Sequence, residues 1–157
     1  MPSDVQLPNT RQPAPYLPKY MIQPQEKPSA APAYLKAIRL LNTADGGCTF
    51  ETGQLPITVH LPVSYCFAGT HADNEHLPHA APRTQYVVTL RGKLRFTVSN
   101  GETFILEPGI ILVAKDVQGP GHTWDLIAGE VWERLYLPFA PDADDHFIAD
   151  ELPARAL

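Results

Sequence analysis

Between residues 93 and 99 the chain alternates, with Leu94, Phe96 and Val98 on one parity and Lys93, Arg95 and Thr97 on the other. A period of two is the pattern of a half-buried strand, one face against a core and one in water. Asn100-Gly101 follows, a dipeptide that tolerates positive φ at both central turn positions, so residues 93–99 and 102–106 are expected to pair as a hairpin. Pro108-Gly109 fits the two central positions of a type II turn, after which 110–114 reads as a buried strand. Gly119-Pro120-Gly121 is a further stop, and residues 131–137 return to alternation until Pro138 closes them. Residues 57–61 and 85–90 complete the clear strand signals, the latter separated from 93–99 by Arg91-Gly92. Residues 33–41 fit either a short helical turn or, from Ile38, the first strand.

Short strands with tight turns and no long helical pattern predict an all-β fold, an antiparallel β-barrel or jelly roll. Proline sharpens this: 17 of 157 residues are proline, and eight of them fall in the first 34. Such density favours extended chain and forbids a continuous helix. Residues 1–35 therefore read as an irregular Pro-rich N-terminal arm, either disordered or packed through Tyr16, Leu17, Tyr20, Met21 and Ile22 along the body or a second subunit of a homodimer. Residues 36–140 form the barrel, and 141–157 an acidic tail that is either a short helix over 144–152 or frayed in solvent.

The length is that of one domain, and the hydrophobic share of 44% is enough for a core. A net charge of −5 without a basic cluster argues against nucleic acid and anionic membrane surfaces, both of which demand positive charge. The N-terminus lacks the apolar run of a signal peptide, and the longest aliphatic run, 110–114, is far too short to span a bilayer. A soluble, cytoplasmic protein is expected. Cys48 and Cys66 form no CxxC pair and read as two free buried thiols rather than a disulfide.

Chemistry centres on histidine. His79, Ala81 and Gln85 share a parity, as does Arg83, so an extended chain would turn all four to one side, although Pro82 interrupts the regularity. Tyr86 would face the other way. His122 follows the glycine-rich bend some forty residues later. Asp116 is either a turn cap or the partner that fixes the His122 tautomer. Trp124 and Phe67 are core residues or an apolar pocket wall, and His60, His71 and His146 are expected to be surface or strand histidines rather than ligands. No nucleotide, zinc-protease, serine-hydrolase or calcium motif occurs.

The stretch from His79 through Gln85 to Gly92, with that from Pro108-Gly109 to His122, resembles the two motifs of small single-domain cupins. Gln85 to Gly92 keeps the glutamate-to-glycine spacing, His79 stands at the first histidine and His122 at the last. The resemblance covers roughly residues 37–139 and implies a jelly-roll barrel whose mouth holds a divalent metal, Fe, Mn, Ni or Zn. The departures are as informative. Ala81 stands at the second histidine and Gln85 at the glutamate, so a metal at His79, Gln85 and His122 would be weakly held. Without metal, His79 and His122 become acid–base groups, Gln85 and Arg83 substrate binders, and Glu75 or His76 candidate substitutes for the missing ligand. The expected function is a pathway enzyme of oxidoreductase or isomerase/lyase type acting on a small organic molecule. The alternative is a non-catalytic binder with a vestigial metal site.

Overall fold

The computed structural model describes residues 33–72 and 75–151. Most of the Pro-rich arm, with any dimer contact it makes, lies outside these residues. The described chain is all-β and contains no helix. Its strands are β1 (Tyr34–Asn42), β2 (Cys48–Pro56), β3 (Phe67–His71), β4 (Glu75–His79), β5 (Gln85–Val98), β6 (Thr103–Leu106), β7 (Ile110–Lys115), β8 (His122–Pro138) and β9 (Ile148–Ala149).

The two long strands, β5 and β8, organise everything else. They pair antiparallel from Gln85 opposite Pro138 to Val98 opposite His122, with register shifts between Thr89 and Leu94. At this corner Gly92 and Gly129 take φ of 98° and 94°. A side chain at Gly92 would lie 2.7 Å from the Val131 carbonyl oxygen, so only glycine lets the strands bend there. The bend divides β8 in two. Its first half carries β4 on the free edge, its second half carries β3. Similarly, β5 pairs with β7 near its start and with β6 near its end.

Several sequence expectations meet corrections here. The sheet is mixed: β1 and β2 are antiparallel, whereas β1 and β7 run parallel from Lys36 opposite Ile110 to Leu41 opposite Lys115. A parallel pair needs a long crossover, and the chain between β1 and β7 supplies it. The first strand alternative for residues 33–41 holds and the helical turn does not. Residues 57–61 are not a strand. Pro56 ends β2, Ile57 N–H donates to the Ala33 carbonyl, and Leu61 and Val63 fold over the sheet instead. The strand expected at 131 begins at His122, its continuity hidden by the exposed stretch around Gly129.

The turns follow the sequence more closely. Gly109, with φ 96°, occupies the left-handed position of the Pro108-Gly109 turn, closed by Ile110 N–H to the Glu107 carbonyl. The β5–β6 hairpin forms, but only Gly101 of Asn100-Gly101 has positive φ. Its Gly101 N–H bonds to the Val98 carbonyl and Val98 N–H to the Glu102 carbonyl, a three-residue loop rather than a two-residue one.

Parity divides the buried residues into two cores. Ile38, Leu40, Val87, Leu94, Phe96, Leu112, Trp124 and Trp132 belong to the larger one. Their neighbours Ala37, Tyr86 and Val113, with Leu55, face the other side, where Leu61, Val63, Phe139 and Phe147 cover them. The tail is therefore neither helical nor frayed over its described part. β9 pairs with β2, and Asp145 is buried, holding Arg39 at 3.0 Å and Lys115 at 2.9 Å. The Tyr86 hydroxyl donates to the Asp145 carbonyl at 2.9 Å.

Candidate functional site

Gly121 opens the site. It has φ 66°, and a Cβ on it would lie 1.9 Å from the His79 carbonyl oxygen. That close approach seats the end of β4 on the start of β8, with His79 directly opposite His122. Their ring centroids are 4.7 Å apart, and Phe96 lies 5.2 Å beneath His122. The bend from Asp116 to Gly121 is pinned from behind, because Asn42 donates to the Gln118 carbonyl at 2.6 Å and accepts from Gln118 N–H. Ala81 N–H bonds to the Asp116 carbonyl, tying the segment after β4 to the same bend.

Asp116 is wholly buried, and its Oδ2 lies 2.6 Å from His122 Nδ1. The carboxylate accepts, so Nδ1 carries the hydrogen, and Nε2 has no protein partner among the described residues. His79 reaches the same tautomer by another route, its Nδ1 donating to the Leu77 carbonyl at 3.2 Å. Two imidazoles whose Nε2 atoms have no partner among the described residues thus meet in one wall. Of the two roles weighed for Asp116, the structure gives it the histidine.

These rings line a cavity of about 300 Å³, large enough for a small ligand. Gln85, Arg83, Ala81 and Glu75 line it too, as do Phe67 and Trp124. His79, Gln85, Arg83 and His122, expected to share a site, are brought together. Gln85 is 3% exposed, and its Oε1 is buried with no hydrogen-bond partner among the described residues. A buried acceptor left unmade is costly, and at a site it marks a position for a donor or cation. Tyr86 faces the opposite core, as its parity requires. His76 points away and approaches Asp125 at 3.5 Å, so of the two proposed substitutes only Glu75 reaches the cavity.

Three site features were not legible. His71, expected to be a surface or strand histidine, is exposed yet also lines the cavity, its ring 5.5 Å from that of Trp124. Arg134 lines it as well and is only 7% exposed. No local motif marks either; an arginine at a core-facing parity in β8 was the available signal. Cys48 is the third. It is buried, and its Sγ lies 3.5 Å from Asp116 Oδ2. Burial and the neighbouring Asp116 charge push its thiol up to about 12. Cys66, by contrast, is exposed, a correction to the pair of buried thiols; it sits just before the edge strand β3. Both are free.

Cys48, Asp116 and His122 form a buried group that could hold a metal ion, their ligand atoms within 4.8 Å of one another. In the arrangement observed, the 2.6 Å separation of His122 Nδ1 and Asp116 Oδ2 is that of a hydrogen bond. Nitrogen and oxygen ligands on one tetrahedral ion stand about 3.3 Å apart. The cavity wall itself carries His79, Gln85 and His122, with Asp116 orienting His122 from behind.

No helix among the described residues is long and apolar enough to cross a membrane. Comparison with protein families and with curated protein sequences finds no match for this chain.

Proposed function

We propose that the protein is a jelly-roll barrel of the cupin kind whose pocket binds a small organic molecule and moves a proton on it. One observation carries the reading: His79 and His122 oppose each other at 4.7 Å in the wall of a cavity, each with Nδ1 engaged and Nε2 without a partner among the described residues. Asp116 orients the His122 ring, and its carboxylate faces the imidazolium that forms when His122 takes a proton. His122 Nε2 takes a proton from a carbon beside a carbonyl, and the electron pair moves onto the carbonyl oxygen. Arg83 and the Gln85 amide N–H group stabilise that oxyanion. In a substrate with a double bond conjugated to the enolate, His122 returns the proton to the far carbon of that dienolate, which completes a double-bond isomerisation; where the β-carbon carries a leaving group instead, the enolate collapses and the group departs with the bond's electron pair, a lyase step.

A divalent ion held by His79, Gln85 and His122 would supply Lewis acidity to the same oxyanion and, as Fe or Mn, the redox capacity an oxidoreductase needs. Free thiols suit a reducing, cytoplasmic setting. A second reading, a binder without turnover, is favoured by Ala81, which removes a donor at the point where the cupin pattern has one.

The test follows deuterium entering a panel of enolisable ketones and oxo acids in heavy water, read by proton NMR. The panel is run with EDTA and again with added Fe(II), Mn(II), Ni(II) or Zn(II). Catalysed exchange with at least one compound, abolished in His122→Ala and reduced in His79→Ala, supports the enzyme. Exchange equal to background under every metal condition supports the binder.

A further inference from the structure

Arg134 is 7% exposed, yet no carboxylate among the described residues pairs with it. Its Nε donates to the Tyr136 hydroxyl and its Nη1 to the Trp132 carbonyl at 3.0 Å. The guanidinium lies 3.8 Å above the Trp132 ring and 5.0 Å from that of Tyr136. Nη2 and the second Nη1 hydrogen are left without a protein acceptor among those residues. A charge taken out of water without a counter-charge is expensive, and a fold keeps one where something else supplies the anion.

Other lining residues reinforce the imbalance. Arg83 stands at the exposed rim of the same cavity, 5.7 Å from the Phe67 ring, and makes no ion pair with a described residue. Phe67 stacks on Tyr136 at 4.9 Å, so an aromatic wall lies between the two guanidinium groups. Glu75 is the one carboxylate among the described lining residues, and its Oε1 accepts from Leu77 N–H at 3.2 Å. Asp116 lies behind His122 and is engaged by that ring and Cys48. Because the Tyr136 hydroxyl accepts from Arg134, its own hydrogen is free to donate into the cavity.

We propose that the pocket selects a small carboxylate with a flat, unsaturated or aromatic body, and that Arg134 is the specificity-determining residue that binds the carboxylate. The free Nη1 and Nη2 edge matches the two oxygens of a carboxylate. Tyr136 adds a hydroxyl donor, the aromatic wall receives the body, and Arg83 at the rim draws the anion in. This deepens the proton-transfer reading of the site by naming its substrate class and rests on that pocket being the ligand site.

The test uses the full chain and three matched probes: 3-phenylpropanoate, its uncharged amide 3-phenylpropanamide, and phenyl phosphate. Binding is read by saturation-transfer NMR and calorimetry. The carboxylate is expected to bind at least about tenfold tighter than the amide. Arg134→Gln erases that preference by weakening carboxylate binding far more than amide binding, and Arg134→Lys restores part of it. Should Arg134→Gln fail to fold, the exposed Arg83→Gln is read instead and lowers carboxylate affinity by about threefold, with a shallower salt dependence. Equal binding of acid and amide, a preference that survives Arg134→Gln, or tighter binding of phenyl phosphate overturns the proposal. The outcomes separate it from the proton-transfer reading. A carboxylate preference without deuterium exchange on any carboxylate sustains this inference and defeats catalysis, whereas exchange confined to uncharged ketones does the reverse.

Discussion

Two arginines on opposite sides of one sheet carry the same charge into different surroundings. Arg39, on the face covered by the tail, bonds to Glu51 at 2.6 Å and to both oxygens of Asp145, which Lys115 also reaches. Its guanidinium lies 4.4 Å from the Phe147 ring. Arg134, in the cavity, has aromatic faces and two neutral acceptors but no anion among the described residues. Where cations and carboxylates balance, the cluster is a latch that fastens the tail. Where they do not, the protein has left a place open. The Gln85 oxygen, unpartnered among the described residues, and the His79 and His122 rings lie on the open side as well.

The largest expected effect comes from disrupting the strand contact that builds the open side. Gly121→Ala combines a positive φ with a Cβ placed on the His79 carbonyl and should cost about 3 kcal/mol. It parts β4 from β8, so ligand binding falls with the stability, both read in one calorimetric series. Next, Asp145→Ala turns the latch into a second open side, leaving Arg39 and Lys115 without that anion. Urea unfolding should show a loss of about 2–3 kcal/mol, with proteolysis of the tail. The two arginines themselves give opposite signs. Arg39→Met should destabilise by about 2 kcal/mol, whereas Arg134→Met should be neutral within about 0.5 kcal/mol or stabilising, since it removes an uncompensated charge. A large loss at Arg134 would make it a structural residue.

Acid sharpens the same contrast. Burial alone would raise the Asp145 carboxyl, but hydrogen bonds from Lys115, the Phe147 backbone N–H and Arg39 outweigh it and hold the pKa below the usual 3.8. A depressed folded-state value means the stabilisation is complete above that pH and is lost as pH falls below it. The stability difference between the wild type and Asp145→Asn should therefore be constant through neutral pH and shrink only below about pH 4. The smallest effect is at the thiols. Iodoacetamide at neutral pH should label exposed Cys66 and leave Cys48, buried and held protonated, unmodified by mass spectrometry.

Much of the open side could be read from the chain. The parity of Gln85 against Tyr86 sorted them to the correct faces, because alternation along a strand is local, whereas Arg83 reaches the cavity from the bend before β5. The turn at Pro108-Gly109 and the hairpin at Gly101 were legible for the same reason. Arg134 was not, since its lack of a counter-charge depends on which strands flank β8. The parallel pairing of β1 with β7 and the docking of Asp145 depend on contacts between distant segments, on which short-range periodicity is silent. Nor did the composition of the tail, rich in aspartate, separate the buried Asp145 from its exposed neighbour Asp144.

The central claim is that His79 and His122 face a ligand site with their Nε2 atoms free. Long-range ¹⁵N spectra of the histidine rings, recorded during titration with 3-phenylpropanoate, test it directly. The account predicts Nδ1–H tautomers for both rings and ligand-induced shifts at His79, His122 and His71, with His60 and His146 unmoved. An Nε2–H tautomer at His122, or shifts confined to the outlying histidines, would contradict it.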